Sequence, residues 1–272
     1  MRQSGGGYRR WLSSPILSGS AAVHLGAAAA IVADAQTWPW ALGAVAANHG
    51  VLAAAGLWPR SQLLGPNWIR LPAPSGARGE VAITIDDGPD PAVTPRVLAQ
   101  LEEHHVQATF FCVGERVERH AELAREIVRR GHAVENHSQR HRHNFSLLGP
   151  GGMRAEIARA QDSISRVTGS SPRFFRAPAG LRNPFLEPVL ESLQLRLASW
   201  TRRGFDTVRG DADMVYQRLA NPLRGGDILL LHDGNAARTA AGDPVILSVL
   251  PPLLEALRVR RLTPITLRAA LT

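Results

Sequence analysis

Two adjacent carboxylates, Asp86 and Asp87, close the apolar run Val81-Ala82-Ile83-Thr84-Ile85, and Gly88-Pro89 turns the chain straight after them. Further on, His137 and His141 stand four positions apart in His137-Ser138-Gln139-Arg140-His141. Imidazoles at that spacing share a face on a helical turn and suit one metal ion. No glutamate follows the first histidine, so a zincin helix is excluded and the third ligand and the base must come from elsewhere. The aspartate pair can supply both. One carboxylate completes a two-histidine, one-carboxylate ligand set, and the other stays free to accept a proton. Taken singly, the aspartates read equally well as a solvated turn and the histidines as exposed side chains. Together they are what a metal-dependent hydrolase needs.

Two further stretches end strand-like runs. Arg176-Ala177-Pro178-Ala179-Gly180 follows Phe174, and His232-Asp233 follows Ile228–Leu231. A histidine at a strand terminus can act as an acid toward a leaving amine. Alone, each stretch reads as ordinary loop chemistry.

The elements that must hold these residues alternate. Strands are expected over Val81–Ile85, Ala108–Val113, Ala133–Asn136, Phe174–Arg176, Leu195–Trp200, Asp227–Leu231 and Thr263–Leu267. Helical patterns run between them, as over Glu118–Arg130 and Met153–Thr168, stopped by Gly131 and Gly169. Such alternation implies a parallel α/β sheet or barrel, whose active site gathers at the C-terminal strand ends. Gly151-Gly152 reads as loop, not as a phosphate cradle, and no internal repeat occurs.

The chain of 272 residues can hold one large domain plus an appendage. Its net charge is +8, and all 31 basic residues are arginine, with no lysine. They are scattered, with only short pairs such as Arg129-Arg130, Arg202-Arg203 and Arg260-Arg261. A nucleic-acid footprint would be clustered with interleaved aromatics, so a nucleic-acid partner is excluded. Attraction to anionic lipid or a phosphorylated substrate stays open. The one cysteine, Cys112, can form no internal disulfide and reads as a small buried hydrophobe.

Before the linker Leu71–Ala77, no charged residue falls between Arg10 and Asp34, or between Asp34 and Arg60. Each gap can supply the roughly 20 residues that span a bilayer. The expected spans are Ile16–Ala33 and Trp38–Leu57, with Trp38-Pro39-Trp40 at the turn and Trp58-Pro59 at the end, where tryptophan suits the interface. His24, Asn48 and His49 within the spans are expected to face each other. A secretory signal cleaved at Ala33-Asp34-Ala35 is a rival, as is a hairpin packed on a soluble domain. A cleaved signal leaves the second apolar stretch unexplained.

Thr84-Ile85-Asp86-Asp87-Gly88-Pro89, His137-Ser138-x-x-His141, Arg176-Ala177-Pro178 and Leu231-His232-Asp233 resemble, in order, the motifs of polysaccharide deacetylases with a NodB-homology domain. The resemblance covers about residues 80–267. It implies a distorted (β/α) barrel over residues 80–270; the apolar stretches and the loop composition put a membrane-associated helical hairpin at 1–70 and a linker at 71–79 ahead of it. It implies that Asp86 is the base and that Asp87, His137 and His141 bind a divalent metal, often zinc. Arg176 would orient Asp86, the Ala179 N–H would hold the oxyanion with the metal, and His232 would be the general acid. Asp206, in Arg203-Gly204-Phe205-Asp206-Thr207, would pair with His232 and raise its pKa. The chain departs from the family pattern at Ala179, usually tyrosine, and at Arg203 and Thr207, usually aspartate and tryptophan. Both aromatic losses remodel the acyl pocket. His104, His105, His120, His132 and His143 lack a partner pattern and read as structural or solvated, His143 being the leading exception.

The implied function is hydrolysis of an N-acyl group from an amino sugar in a glycan. A lipid-linked amino sugar, deformylated or deacylated, is the alternative substrate, and a non-catalytic glycan-binding protein a third reading. The expected location is the bacterial inner membrane. Arg2, Arg9 and Arg10 before the first span, and Arg60 and Arg70 after the second, would put both ends in the cytoplasm. A polymeric wall substrate would require the opposite face.

Overall fold

The computed structural model describes residues 15–271, so Arg2, Arg9 and Arg10 lie outside the described residues. Helices α1 (Pro15–Ala33) and α2 (Trp38–Leu57) form an antiparallel pair joined by a short 3-10 turn over Ala35–Thr37. The turn therefore precedes the Trp38-Pro39-Trp40 stretch expected to make it. Asp34 caps it, accepting the Gln36 N–H at 2.9 Å, and Pro39 sits in the first turn of α2, where its missing N–H costs nothing. Leu25, Val32, Trp40 and Leu42 are exposed on the pair. Its polar residues meet each other: His24 Nε2 lies 3.3 Å from His49 Nε2, and Asn48 donates to Ser20 Oγ at 2.8 Å.

The stretch expected as linker carries a one-turn helix, α3 (Ala73–Ala77). Beyond it come β1 (Glu80–Asp86), α4 (Thr94–Glu103), β2 (Thr109–Cys112), α5 (Gly114–Arg119), α6 (Ala121–Arg129) and β3 (Ala133–Asn136). Then follow α7 (Pro150–Thr168), β4 (Phe174–Phe175), α8 (Leu186–Ser192), β5 (Arg196–Leu197), β6 (Arg202–Arg203), α9 (Ala212–Ala220), β7 (Ile228–His232), α10 (Val245–Val259) and β8 (Thr263–Pro264). The strands run β5-β4-β3-β2-β1-β7-β6, all pairs parallel, with β8 beside β1. This is a curled, open (β/α) barrel with the apolar hairpin ahead of it. The seam falls between β5 and β6, which are neighbours in sequence but share no ladder.

Alternation along the strands sorts side chains between two cores. Val81, Ile83, Ile85, Phe110, Cys112, Leu229 and Leu231 point outward and pack under α4, α9 and α10. Ala82, Phe111, Ile228 and Leu230 point inward with Phe174 and Trp200 and fill the barrel. Each fully buried Ile, Leu or Phe contributes roughly 1.5–3 kcal/mol over leaving it exposed. Inward alternation carries past Ala82 to Thr84 and Asp86, which brings polar groups to the barrel's mouth.

Several local expectations fail for physical reasons. The helix expected over Glu118–Arg130 breaks at His120, whose φ of −122° and ψ of 52° are not helical. Gly151 and Gly152 lie inside α7 rather than in a loop, because Pro150 in the first turn starts the helix ahead of them. The strand expected over Leu195–Trp200 is shorter, and β6 follows it as a separate piece. The segment ahead of the linker is closely packed. Ser61, Leu64, Asn67 and Leu71 are buried, Trp68 bridges Ala198, and its ring meets Phe174 at 5.1 Å. Pro59–Leu71 therefore packs against the barrel.

Candidate functional site

The C-terminal ends of the central strands supply the site. Asp86 pairs in register with His232 on β7 and Phe111 on β2, and Asn136, just before His137, pairs with Phe175, just before Arg176. All four motifs thus arrive at one end of the sheet. They open into a cavity of about 530 Å³ lined by Asp86, Asp87, His137, His141, Ala179 and His232. Arg176 and Asp206 stand behind this lining.

Non-glycine residues with left-handed backbone concentrate here. Asp87 (φ 77°), Ser138 (65°), His141 (50°), Ala179 (55°) and Phe205 (63°) all lie in the motif loops. Such conformations persist only where surrounding structure enforces them. The one at Asp87 redirects its carboxylate, so that neighbouring aspartates serve one cavity instead of opposite faces of the sheet. His137 and His141 do not share a helical turn as their spacing suggested. They sit on a loop that Ser138 and His141 curl back on itself, with ring centroids 4.8 Å apart.

Asp87 Oδ1 lies 3.2 Å from Nε2 of both His137 and His141, and the three possible ligand atoms fall within 4.8 Å of one another. His137 Nδ1 is tied to the Arg176 carbonyl at 2.8 Å, which leaves Nε2 free to offer a lone pair. Burial, with the neighbouring His137, pushes His141 down to about 4, so its ring is neutral at pH 7. Burial alone would raise the Asp87 carboxyl. The His137 contact and the electrostatic influence of the nearby His137, His232 and His141 rings outweigh it and hold Asp87 well below the usual carboxylate range. Asp87 Oδ1 is buried and makes no hydrogen bond. Electron-pair donors converging on a buried oxygen repel unless a cation lies among them, so the cluster fits a divalent metal.

Asp86 is held apart from this cluster. Its Oδ1 accepts Arg176 Nη1 at 2.6 Å, while Oδ2 is 3.8 Å from His137 Nε2. Arg176 is fully buried, with donors also fixed by Thr84 Oγ1 at 2.8 Å, the Ala198 carbonyl at 3.1 Å and the Ser199 carbonyl at 2.8 Å. Its guanidinium lies 4.1 Å from the centre of the Phe111 ring. A buried charge held by this many partners can neither move nor leave without a large penalty.

Opposite stands His232. Asp206 accepts its N–H at 2.7 Å through Oδ2 and meets its Nδ1 at 2.9 Å through Oδ1. Burial opposes the charged ring, but the Asp206 carboxylate, with Asp86 and Asp87, raises it to about 9. Nε2 is left toward the cavity.

Sequence reasoning missed Asn235, Arg116 and the reach of Arg203, and gave Asp233, though in a motif, no role. Asn235 donates to Asp87 Oδ2 at 2.8 Å and so fixes the carboxylate's orientation. Asp233 is fully buried beside Gly88, and burial pushes its carboxyl up to about 7; Thr94 Oγ1 donates to its Oδ2 at 2.5 Å. Gly234 admits this packing, since a Cβ there would meet Arg116 Nη1 at 2.2 Å and the Asp87 carbonyl at 2.5 Å. The only signal available was adjacency to His232. His143 lines the cavity.

The polysaccharide deacetylase profile matches residues 74–198. A chitooligosaccharide deacetylase of Bradyrhizobium sp. (strain ANU 289) is 36% identical over 161 residues, which are 59% of this chain and 73% of that protein. The chain belongs to the polysaccharide deacetylase family. The relatives are named as deacetylases of N-acetylated sugars, a kind of hydrolase acting on carbon–nitrogen bonds other than peptide bonds. A Bacillus cereus peptidoglycan-N-acetylglucosamine deacetylase is 28% identical over 179 residues, 65% of this chain and 64% of that protein. Among solved structures, a mutant of a Bacillus anthracis CE4 family pseudoenzyme with restored enzymatic activity superposes with a TM-score of 0.67. It is 25% identical, with 76% of this chain and 71% of that chain covered. A family that includes a pseudoenzyme requires each chain's activity to be argued from its own side chains.

Proposed function

We propose that this chain is a metal-dependent hydrolase that removes an N-acyl group, acetyl or similar, from an amino sugar in a glycan. The observation that carries the reading is the convergence on one cavity of the Asp87–His137–His141 cluster, Asp86 on Arg176, and His232 on Asp206. A pseudoenzyme need keep none of these pairings, and here all of them are in place.

Asp87, His137 and His141 would hold the cation, and zinc suits two imidazoles and a carboxylate. When bound, such a cation polarises the acyl oxygen and lowers the pKa of water. Asp86 accepts the proton of the attacking water, and Arg176 holds that carboxylate in place. The Ala179 N–H, presented by its left-handed turn, donates to the oxygen on which charge develops. His232, protonated at neutral pH because of Asp206, donates its Nε2 proton to the departing amine. Asn235 and the Arg176 carbonyl hold Asp87 and His137 in their ligating orientations.

The helix pair is proposed as a membrane anchor. At 1.5 Å per residue α1 is about 28 Å long, close to the roughly 30 Å hydrocarbon core. Its two helices are the ones long and apolar enough to cross a membrane among the described residues. The barrel over residues 80–270 carries every proposed site residue.

The test is turnover. The purified, zinc-loaded protein should release acetate from N-acetylated chito-oligosaccharides, with matching mass loss from the sugar. Absence of acyl release from acetylated and formylated amino sugars alike would leave a glycan-binding protein as the surviving reading.

A further inference from the structure

The cavity that holds the site is lined on its outer side by guanidinium groups. Arg116 and Arg119 come from α5, where residues three apart share a face, and Arg203 comes from the end of β6. The carboxylates of the same cavity are already engaged. Asp86 is taken by Arg176, Asp87 faces the imidazoles and Asn235, and Glu115 lies 3.8 Å from Arg140. Arg116 donates only to neutral acceptors, the Gly234 carbonyl at 3.1 Å and Asn235 Oδ1 at 3.4 Å. Among the described residues, Arg119 and Arg203 pair with no carboxylate.

Arg203 is the decisive case. Its guanidinium is wedged between the Trp200 ring at 5.4 Å and the Phe205 ring at 5.0 Å. Its Nε is buried and has no hydrogen-bond partner. A buried donor without an acceptor is costly, and more so beside a charge. Aromatic faces hold this cation in position without neutralising it. Such a group is preorganised for an anion that arrives with the ligand.

We propose that the amino-sugar substrate carries a phosphate group, bound at the cavity mouth by Arg116, Arg119 and Arg203. This rests on the deacylase reading above and adds to it the substrate's charge. A carboxylate is a monoanion that one guanidinium matches. A phosphate has up to two charges and three acceptor oxygens, and suits several guanidiniums reaching in from separate elements.

The surroundings give this phosphate two sources, a soluble sugar phosphate or a lipid-linked one. The end of α2 runs into Trp58-Pro59, and Pro59 seats on Gly180, a residue of the cavity wall. The Pro59 carbonyl accepts Ser199 Oγ at 2.7 Å, next to Trp200. The apolar hairpin therefore leaves the barrel beside the cavity mouth.

The experiment compares initial rates of acetate release by the full-length, zinc-loaded protein in detergent micelles. The substrates are N-acetylglucosamine, its 1-phosphate, N-acetylmuramic acid and N-acetylglucosamine linked through phosphate to a polyprenyl chain. The expected kcat/KM for the phosphorylated sugars is about tenfold or more above that for N-acetylglucosamine, one to two charge-assisted hydrogen bonds' worth, and the advantage shrinks as salt rises. Arg203→Gln and Arg119→Gln should each draw that ratio toward one, while Arg203→Lys keeps part of it. A soluble phosphate as good as the lipid-linked one identifies the free sugar phosphate as the source; a better lipid-linked one identifies the lipid. Equal turnover of neutral and phosphorylated sugars, a carboxylate as effective as the phosphate, or arginine variants that slow all substrates alike would overturn the proposal while leaving the deacylase reading intact. No turnover of any of them would overturn that reading as well.

Discussion

The cavity at the strand ends and the apolar hairpin ahead of it are built in opposite ways. In the cavity, charged side chains are buried, backbone angles depart from the usual regions and Asp86, Arg176, His232 and Asp206 are each held by named partners. In the hairpin, the backbone is regular helix, apolar side chains face outward and few specific contacts occur beyond the His24–His49 and Asn48–Ser20 pairs. The first depends on individual residues and the second on an average over many. Single substitutions should therefore be severe in the cavity and mild in the hairpin, and only removal or charge insertion should disturb the latter.

The largest effects test that contrast directly. Asp87→Ala, His137→Ala and His141→Ala should each lose bound metal, as elemental analysis would read, because a three-residue ligand set has no redundancy. Asp86→Asn should keep its metal and lose activity by roughly 10²–10⁴-fold, since an amide cannot accept the proton. Normal metal content in the first three variants, or near-normal turnover in the fourth, would contradict the assignments.

Next comes the acid. His232 must be protonated to donate, so activity should fall as pH rises through its value of about 9. Asp206→Asn removes the carboxylate that sustains that charge, so the alkaline limb of the kcat profile should move to lower pH. An unmoved limb would mean that another group is titrating. Asp206 also sustains a stability contribution, because the folded value of His232 lies above the ordinary histidine value of 6.5. That contribution is complete below about 6.5 and lost as pH rises through about 9.

Smaller again is the boundary effect. Deleting residues 1–57 should leave a barrel that binds metal, whereas deleting 1–70 removes the buried Leu64 and Asn67 and the Trp68 bridge. The shorter deletion should melt higher and be more stable, by on the order of 3 kcal/mol for the retained aromatic burial. Equal melting temperatures would mean that this packing adds no stability. The full chain should stay with membranes through high salt, because apolar insertion is not screened.

The smallest effect lies away from the cavity. Burial, with Glu191 adding to it and Arg182 opposing it, raises Glu187 to about 7. A carboxyl raised in the folded state gives stability that is present below about pH 4.5 and lost as pH rises through 7. Glu187→Gln should flatten that slope, with a gain in melting temperature at pH 8 of about 2 °C.

Motifs of rare residue type at strand ends were legible in the sequence, because Asp, His and Arg after an apolar run have few structural uses. The strand–helix alternation was legible for a similar reason: burial on both faces of β1, β2 and β7 leaves unbroken apolar runs. What escaped was set by tertiary contact. Asn235 matters because Gly234 lets one loop close on another, and nothing in the composition of either loop records that approach. The loop fold of the two histidines escaped because spacing fixes a face only if the backbone is helical, and Ser138 and His141 take left-handed angles instead. Gly151-Gly152 misled because Pro150 at a helix start outweighs a poor helix propensity.

Cys112 lies in β2 with no exposed surface, and burial pushes its thiol well up, so it is a poor nucleophile. The sequence has no other cysteine and no lysine. To thiol- and amine-directed electrophiles the folded chain is therefore close to silent. A single cysteine introduced on the hairpin or at the cavity rim would be the one reactive handle on an otherwise unlabelled molecule, and a fluorophore or spin label there would measure immersion depth against distance from the metal.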